Sequence, residues 1–555
     1  MPHVTWSQNY DPLGLPWLST LLATIPLAVL LGGLALLRWR APVAALAGLA
    51  AALLVATLAF GMPIKLAFAA AGFGAAYGLM PIGWIVLNII FMYQLTLERG
   101  QFAVLRDSIA GIVDDSRLQL LLIAFCFGAF FEGAAGFGTP VAVTGAMLIG
   151  LGFAPLQAAG LSLIANTAPV AFGALGTPLV TLAGVTNLPL QDLSSVVGRM
   201  MTPFALLVPF WLLVAYCGWR RTLQVWPAVL VVGVSFSVTQ LLISNLHGPW
   251  LTAIGASLVS IASLVLLMRV WKPARAMRVT DGADAAAPAK AQVAAGGAAL
   301  PTSQVARAWM PWIILMVLVF VWGLPDVKSW LDGIFRISTP FPGLHQQVQR
   351  LPPVVATPQL EAAMLNLNLL SATGTAILIA GVLSGLLLGA RPLQIAATYL
   401  RALKLVAPSL LTIAAMLALG YLTRYAGVDA TLGLAFAATG VLYPFFGTLL
   451  GWLGVAVTGS DTASNVLFGG LQKVTSQQLG LSPVLMAGAN SAGGVMGKMI
   501  DAQSIVVAST ATRWFGQEGR ILRYVFLHSL VLAALVGLVV MLMAYVPPFT
   551  LLVPG

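Results

Sequence analysis

The sequence predicts an all-α polytopic membrane protein of about 12–14 transmembrane helices in two inverted repeats, each with a broken or re-entrant helical hairpin. Three observations predict it: charge is scarce, apolar runs are long, and two polar, Gly-rich interruptions occupy matching places in the two halves. Of 555 residues, 59% are hydrophobic and 8% charged. A soluble domain carries about 25% charged residues, and so few charges cannot cover a water-exposed surface of this size. Lipid is the alternative solvent.

The runs at 17–37, 42–61, 225–243, 309–324, 366–389 and 524–546 are each apolar on all sides. Each is long enough to cross roughly 30 Å of hydrocarbon as a helix. Barrel strands would alternate in segments of about ten residues. The net charge of +11 reads as the positive-inside bias rather than as nucleic-acid binding. Residues 1–37 hold no Lys or Arg, so the N-terminus is expected outside, and no basic leader is visible. Arg38, Arg40, Arg99, Arg106, Arg117, Arg220, Arg221, Arg391, Arg401, Lys404, Arg513, Arg520 and Arg523 then fall inside, and the 325–365 connection and the C-terminus outside.

Domain bounds follow. The N-terminal half covers 1–268 with its interruption at 127–146. A basic linker, expected in the cytoplasm, covers 269–307, with a flexible Ala/Gly-rich middle at 282–300. The C-terminal half covers 308–555 with its interruption at 451–470. The halves match at a nearly fixed offset: Pro63 with Pro392, Pro81 with Pro408, Gly100 with Gly427, and the segment around Asn166 with that around Asn490. The 100–117 connection is basic, whereas 427–443 has Asp429 and no Lys or Arg, so matching segments are expected on opposite sides of the membrane.

The interruptions carry the chemistry. "FGAFFEGAAGFGTPVAVTGA" (127–146) and "GWLGVAVTGSDTASNVLFGG" (451–470) would leave backbone groups unpaired at membrane depth, which lipid cannot satisfy. Such segments must be buried in protein or line a wet cavity. A broken helix presents free N–H groups and a positive partial charge, which suits a carboxylate anion. Gly136, Gly138, Thr139, Asn166, Thr167, Ser460, Thr462, Asn465, Asn490, Ser491 and Lys498 are the candidate substrate-binding residues. Ser and Thr in membrane helices also back-bond their own turn, so about half of these are expected to be packing.

Ionisable residues at depth cost about 2.5–3.5 kcal/mol each and are functional candidates by default. Glu132, Asp461 and Asp501 are candidate proton carriers, because desolvation favours a neutral carboxyl. Lys498 pairs either with a substrate carboxylate or with a neighbouring Asp. Asp461 also reads as a helix N-cap, and Arg424 as a snorkelling residue at the outer edge. His3, His247, His345 and His528 are dispersed, Cys126 and Cys217 lie in apolar runs, and no Walker A or nucleophile–base pattern occurs. No metal site, disulfide, cofactor, ATP drive or enzyme activity is expected.

The strings "QNYDP" (8–12), "CFGAFFEGAAGFGTPVA" (126–142), "NTAPVAFGALGTP" (166–178), "SATGTAIL" (371–378), "GWLGVAVTGSDTASN" (451–465) and "GGVMGKM" (493–499) together resemble the bacterial L-lactate permease family, which includes glycolate permeases. The resemblance runs along essentially the whole chain. It implies symport of one proton with L-lactate, glycolate or a similar 2-hydroxymonocarboxylate across the bacterial inner membrane, with no net charge moved. It also implies a fold with inverted repeats and re-entrant hairpins. Where the family has Ile-Ser-Pro-Gln-Ser after "GKM", this chain has Ile500, Asp501, Ala502, Gln503 and Ser504. Expected partners are the monocarboxylate, the proton and lipid, with a homo-oligomer left open. A sodium-coupled carrier and a passive anion channel are the competing functions.

Overall fold

A computed structural model describes the chain apart from residues 1–4, 36, 38, 111, 112, 114, 135, 137, 138, 279–300, 356, 515, 516 and 555. The middle of the linker and Gly138 therefore lie outside the described residues. The first half is built of α1 (Pro16–Ala35), α2 (Pro42–Ala59), α3 (Ile64–Glu98), α4 (Gln101–Ala110), α5 (Ser116–Ala134), α6 (Thr139–Gly150), α7 (Pro155–Ala165), α8 (Gly173–Thr186), α9 (Leu190–Cys217), α10 (Trp226–Leu246) and α11 (Thr252–Val270). The second half has α12 (Thr302–Gly323), α13 (Pro325–Ile334), α14 (Thr373–Leu387), α15 (Pro392–Ala426), α16 (Val428–Phe436), α17 (Tyr443–Thr458), α18 (Asp461–Gln478), α19 (Pro483–Gly497), α20 (Ala502–Ala511) and α21 (Glu518–Tyr545).

Ten helices among the described residues are long and apolar enough to cross a membrane. The number is eleven if the pair at Pro155–Ala165 and Val170–Thr186, bent by 63°, forms one span. The expected 12–14 exceeds this because α1, α14 and the helix over Pro140–Gly150 contain only short apolar windows. The 366–389 run begins as a strand. Residues 364–367 form β5 (Met364–Leu367), paired antiparallel with β2 (Ile337–Pro340), and the helix starts only at Thr373.

The extramembrane connection also holds β3 (Val348–Arg350) and β4 (Gln359–Leu360). The N-terminal strand β1 (Trp6–Ser7) pairs with β3 in parallel, Trp6 opposite Val348. The N-terminus and the 325–365 connection therefore share one side. Some of the basic loops also meet one another. Arg117 is buried and donates to the carbonyls of Arg221 and Arg275, and Glu98 pairs with Arg401 at 2.9 Å. The 427–443 stretch is helical through α16, with Asp429 in its first turn.

The two 35-residue spans α3 and α15 lie antiparallel along each other. A Cβ at Gly74 would strike the Leu417 carbonyl, one at Gly78 would meet the Ile413 carbonyl, and the C-terminal Glu98 meets Arg401 near the start of α15. Both spans end at a left-handed glycine, Gly100 (φ +70°) and Gly427 (φ +83°), as helices do where no Cβ opposes the turn. The bundle α17–α19 is drawn together by small residues: Gly451 rests on the Asn490 carbonyl, Gly493 on that of Thr448 and Gly497 on that of Trp452. Without a water-driven force between helices, such close backbone approach is what membrane helices use to pack. One apolar core joins α1–α3, α15 and the body of α18. The other, larger core joins α5–α11 with α19–α21.

Candidate functional site

In each interruption one helix ends and another begins. Helix α5 ends at Ala134 and α6 begins at Thr139. Helix α17 ends at Thr458 with Gly459 (φ +72°) as its C-cap, and α18 begins at Asp461. Ser460 is the N-cap: its Oγ accepts from the Ala463 N–H at 3.3 Å. Asp461, read from sequence as the cap, is instead the first helical residue and is free to point elsewhere. Two further breaks follow. One separates α7 from α8 at residues 166–172; the other separates α19 from α20, where Asp501 caps α20 through the Ser504 N–H at 2.7 Å.

All four breaks meet around a cavity of about 180 Å³ between the two cores. Glu132 and Gly136 come from the first break, and Thr458 to Ala463 from the second. Val170, Gly173, Ala174, Thr177 and Pro178 come from the third, and Lys498 and Gln503 from the fourth. The remaining wall is α15, through Ser409, Thr412, Ile413, Met416 and Leu417. At the third break Ala174 (φ 43°), Leu175 (φ 55°) and Gly176 (φ 73°) form a left-handed turn. Such backbone is strained for the two non-glycine residues and persists only where the surroundings hold it.

The charged groups lie within electrostatic reach of one another. Glu132 is buried, neighbours Lys498 and Asp501, and packs its Oε1 against Gly173, where a Cβ would collide with it. Its Oε2 has no hydrogen-bond partner among the described residues. The buried Asp461 accepts from Ser491 Oγ at 2.5 Å through Oδ2, while its Oδ1 has no partner among the described residues. Lys498 Nζ donates to the Gly459 carbonyl at 2.6 Å and lies 3.5 Å from Asp501 Oδ2. A cation, two carboxyls with open oxygens and the N-terminus of α18 thus face one cavity. That set can hold an organic anion and a proton together.

Of the predicted residues, Gly136, Ser460, Thr462, Lys498, Glu132 and Asp461 line the cavity. Asn465, Asn490 and Ser491 stand behind Asp461. Asn465 donates to the Pro178 carbonyl at 3.2 Å and to Ser491 Oγ at 3.3 Å, and Asn490 donates to Asn465 Oδ1 at 2.9 Å. The Asn166 amide approaches Glu132 without a hydrogen bond of good geometry. Thr167 back-bonds the Ile164 carbonyl at 2.8 Å and is packing. Thr139 starts α6, but its side chain, like Gly138, lies outside the described residues. Asp501 is buried behind Lys498. Sequence reasoning missed Gln503 and the α15 wall; the only signal was the spacing 409, 412, 413, 416, 417, which defines one helix face. Arg424 does not snorkel. It is half-buried, paired with Glu361 at 3.1 Å, and donates to the Val185 carbonyl at 3.2 Å.

A bundle of membrane-spanning helices, broken where they enclose a charged cavity, defines a multi-pass membrane permease. The chain belongs to the L-lactate permease family, whose pattern matches residues 19–547. Permeases are transporters and not enzymes. The chain is similar to the glycolate permease GlcA of Escherichia coli (strain K12), 46% identical over 552 residues, covering 98% of this chain and 99% of that one. It is 43% identical over 547 residues to the L-lactate permease of the same strain, covering 98% of each. It is 42% identical over 563 residues to the L-lactate permease of Bacillus subtilis (strain 168), covering 99% of this chain and 100% of the other. Among solved structures, the YdaH transporter of Alcanivorax borkumensis superposes with a TM-score of 0.46 at 14% identity, over 85% of this chain and 86% of that one.

Proposed function

We propose that this protein imports L-lactate, glycolate and related 2-hydroxymonocarboxylates by proton symport across the bacterial inner membrane, with both termini periplasmic. The observation that carries the reading is the convergence of Lys498, Glu132 and Asp461 on one cavity closed by broken helices. Lys498 and the first turn of α18 hold the carboxylate. The hydroxyls of Ser460 and Thr462 are placed for the 2-hydroxyl. Glu132 and Asp461 carry the proton, each having an oxygen free to change partners. Asp501, committed to capping α20 and to Lys498, orients that lysine. The names of the relatives support the substrate class.

The inverted-repeat architecture is part of the same proposal. The order α1–α9 is repeated by α12, α14–α21, with helix–break–helix at corresponding places. The matching spans α3 and α15 run in opposite directions. Such a pair of halves supports alternating access, one body moving against the other around the site.

Uptake of labelled L-lactate into proteoliposomes, under an imposed inside-alkaline pH gradient and without sodium, tests the function. Accumulation above the equilibrium level, competed by glycolate, is expected. A requirement for sodium at fixed pH would assign the coupling to that ion instead. Equilibration without accumulation would mean a passive channel.

A further inference from the structure

The face of α15 that lines the cavity does not stop there. Ser409, Thr412, Ile413, Met416 and Leu417 are spaced by three and four residues, and Gly420, Tyr421 and Arg424 continue the same stripe. Beyond Leu417 the seam between the two bodies is shut. A Cβ at Gly420 would come within 2.6 Å of Val466 on α18, and the Tyr421 hydroxyl donates to the Gly184 carbonyl at 3.0 Å. Arg424 then binds the Val185 carbonyl at 3.2 Å and the Glu361 carboxylate at 3.1 Å. Arg350 on β3 holds the same carboxylate from the other side. Lys473 of α18 donates to the Thr186 carbonyl at 2.7 Å, so two cations grip the C-terminal end of α8. This is where a helix carries partial negative charge.

The cluster is a closure rather than a second substrate site. The space inside it is about 10 Å³, room for one water molecule and not for an organic acid. The opposite end of the cavity is open: Gln503 is exposed there, and Ser409 and Thr458 are half-buried. The open end faces the start of α15, beside Arg391, Arg401 and Lys404, and the closed end faces the β-cap, made of strands β2–β5, and the N-terminal strand.

We propose that the Arg424–Glu361 ion pair, with Arg350 and Lys473, is the outer gate of this transporter. It locks the β-cap and α15 onto the ends of α8 and α18 while the cavity is open to the other side, and it parts when the cavity turns outward. The proposal rests on the alternating-access reading but not on the substrate or the coupling ion.

Access to the cavity from outside tests it. In a Cys126→Ser, Cys217→Ser background, Ala463→Cys places one thiol on the cavity wall. Intact cells are treated with a membrane-impermeant maleimide. Adding Glu361→Gln is expected to raise the labelling rate about fivefold or more, the scale of a typical coupling between states. Arg424→Lys, which keeps the charge but loses the two-pronged guanidinium geometry, is expected to raise it in the same direction. It serves as the readout if Glu361→Gln is not recovered as monodisperse protein. If L-lactate alters labelling of the parent while neither variant changes its rate, the gate is refuted and the carrier stands. If the thiol stays unreactive from outside in every variant and under every condition, alternating access itself fails, and the gate with it.

Discussion

Removal of the Lys498 side chain is the sharpest perturbation of the proposed binding chemistry. On this reading its ammonium makes a charge-assisted contact to the substrate carboxylate, worth about 1.5–3 kcal/mol. Losing it would weaken affinity by about 10- to 150-fold at 1.4 kcal/mol per decade. The structure adds a second cost. Lys498 and Asp501 are 8% and 0% exposed and 3.5 Å apart, and breaking a buried pair from one side destabilises by about 3–5 kcal/mol because the other charge is stranded. Lys498→Ala alone therefore mixes a binding defect with a folding defect. The double variant Lys498→Ala/Asp501→Asn separates them. Asn still caps α20 and no charge is left stranded, so thermal stability in detergent is expected to return toward the parent while L-lactate uptake stays lost. A double variant that transports with the parental KM would refute the assignment of Lys498 to the substrate.

Other outcomes follow from the same geometry. Glu132→Gln or Asp461→Asn is expected to abolish accumulation driven by a pH gradient while sparing L-lactate exchange between equal pools; acid-driven accumulation persisting in both would remove these carboxyls from coupling. Gly451→Ala would drive a Cβ into the Asn490 carbonyl and cost about 1–3 kcal/mol by overpacking, read as a lowered Tm; an unchanged Tm would contradict the close approach of α17 and α19. Burial favours the neutral form of Glu361, but Arg424 and Arg350, with Lys473 behind them, outweigh it and hold its pKa below the ordinary value. A depressed folded-state pKa gives stability that is complete above the unfolded value of about 4.3 and is lost as pH falls through the lower folded value. The Tm gap between the parent and Glu361→Gln is therefore expected to be largest near neutrality and to shrink below about pH 4; a gap constant with pH would contradict the ion pair.

Composition and run length made the membrane class legible, because about twenty apolar residues have few uses other than crossing lipid. The breaks were legible because Gly-rich, hydroxyl-rich backbone at that depth must have a wet or proteinaceous neighbour. What stayed hidden depends on partners distant in sequence. Arg424 read as a snorkelling residue because its counter-ion, Glu361, lies 63 residues away in an extramembrane strand region. The α15 wall was hidden because Ile413, Met416 and Leu417 look alike whether they face lipid or a cavity. The match of Asn166 to Asn490 did not carry over to their roles: Asn166 ends α7 at a break, whereas Asn490 sits inside α19, bonded to Asn465. The strand start of the 366–389 run was masked by residues that suit either a strand or a membrane helix, and pairing with β2 decided it.

The charge balance of the cavity argues for coupling under the proposed reading. Lys498 is already partnered by Asp501, so the pair brings no free positive charge. If Glu132 and Asp461 were both ionised, the empty cavity would hold two uncompensated negative charges beside Ile413, Met416, Leu417 and Val466. A monocarboxylate would make three. Each charge at such depth costs about 2.5–3.5 kcal/mol, so the loaded site is stable only if protons accompany the anion. One proton per anion keeps the charge of the loaded site equal to that of the empty one, and both can then pass the same apolar α15 stripe at similar cost. A carrier built this way would import slowly from alkaline medium, because the anion would arrive without the proton that lets the loaded body move.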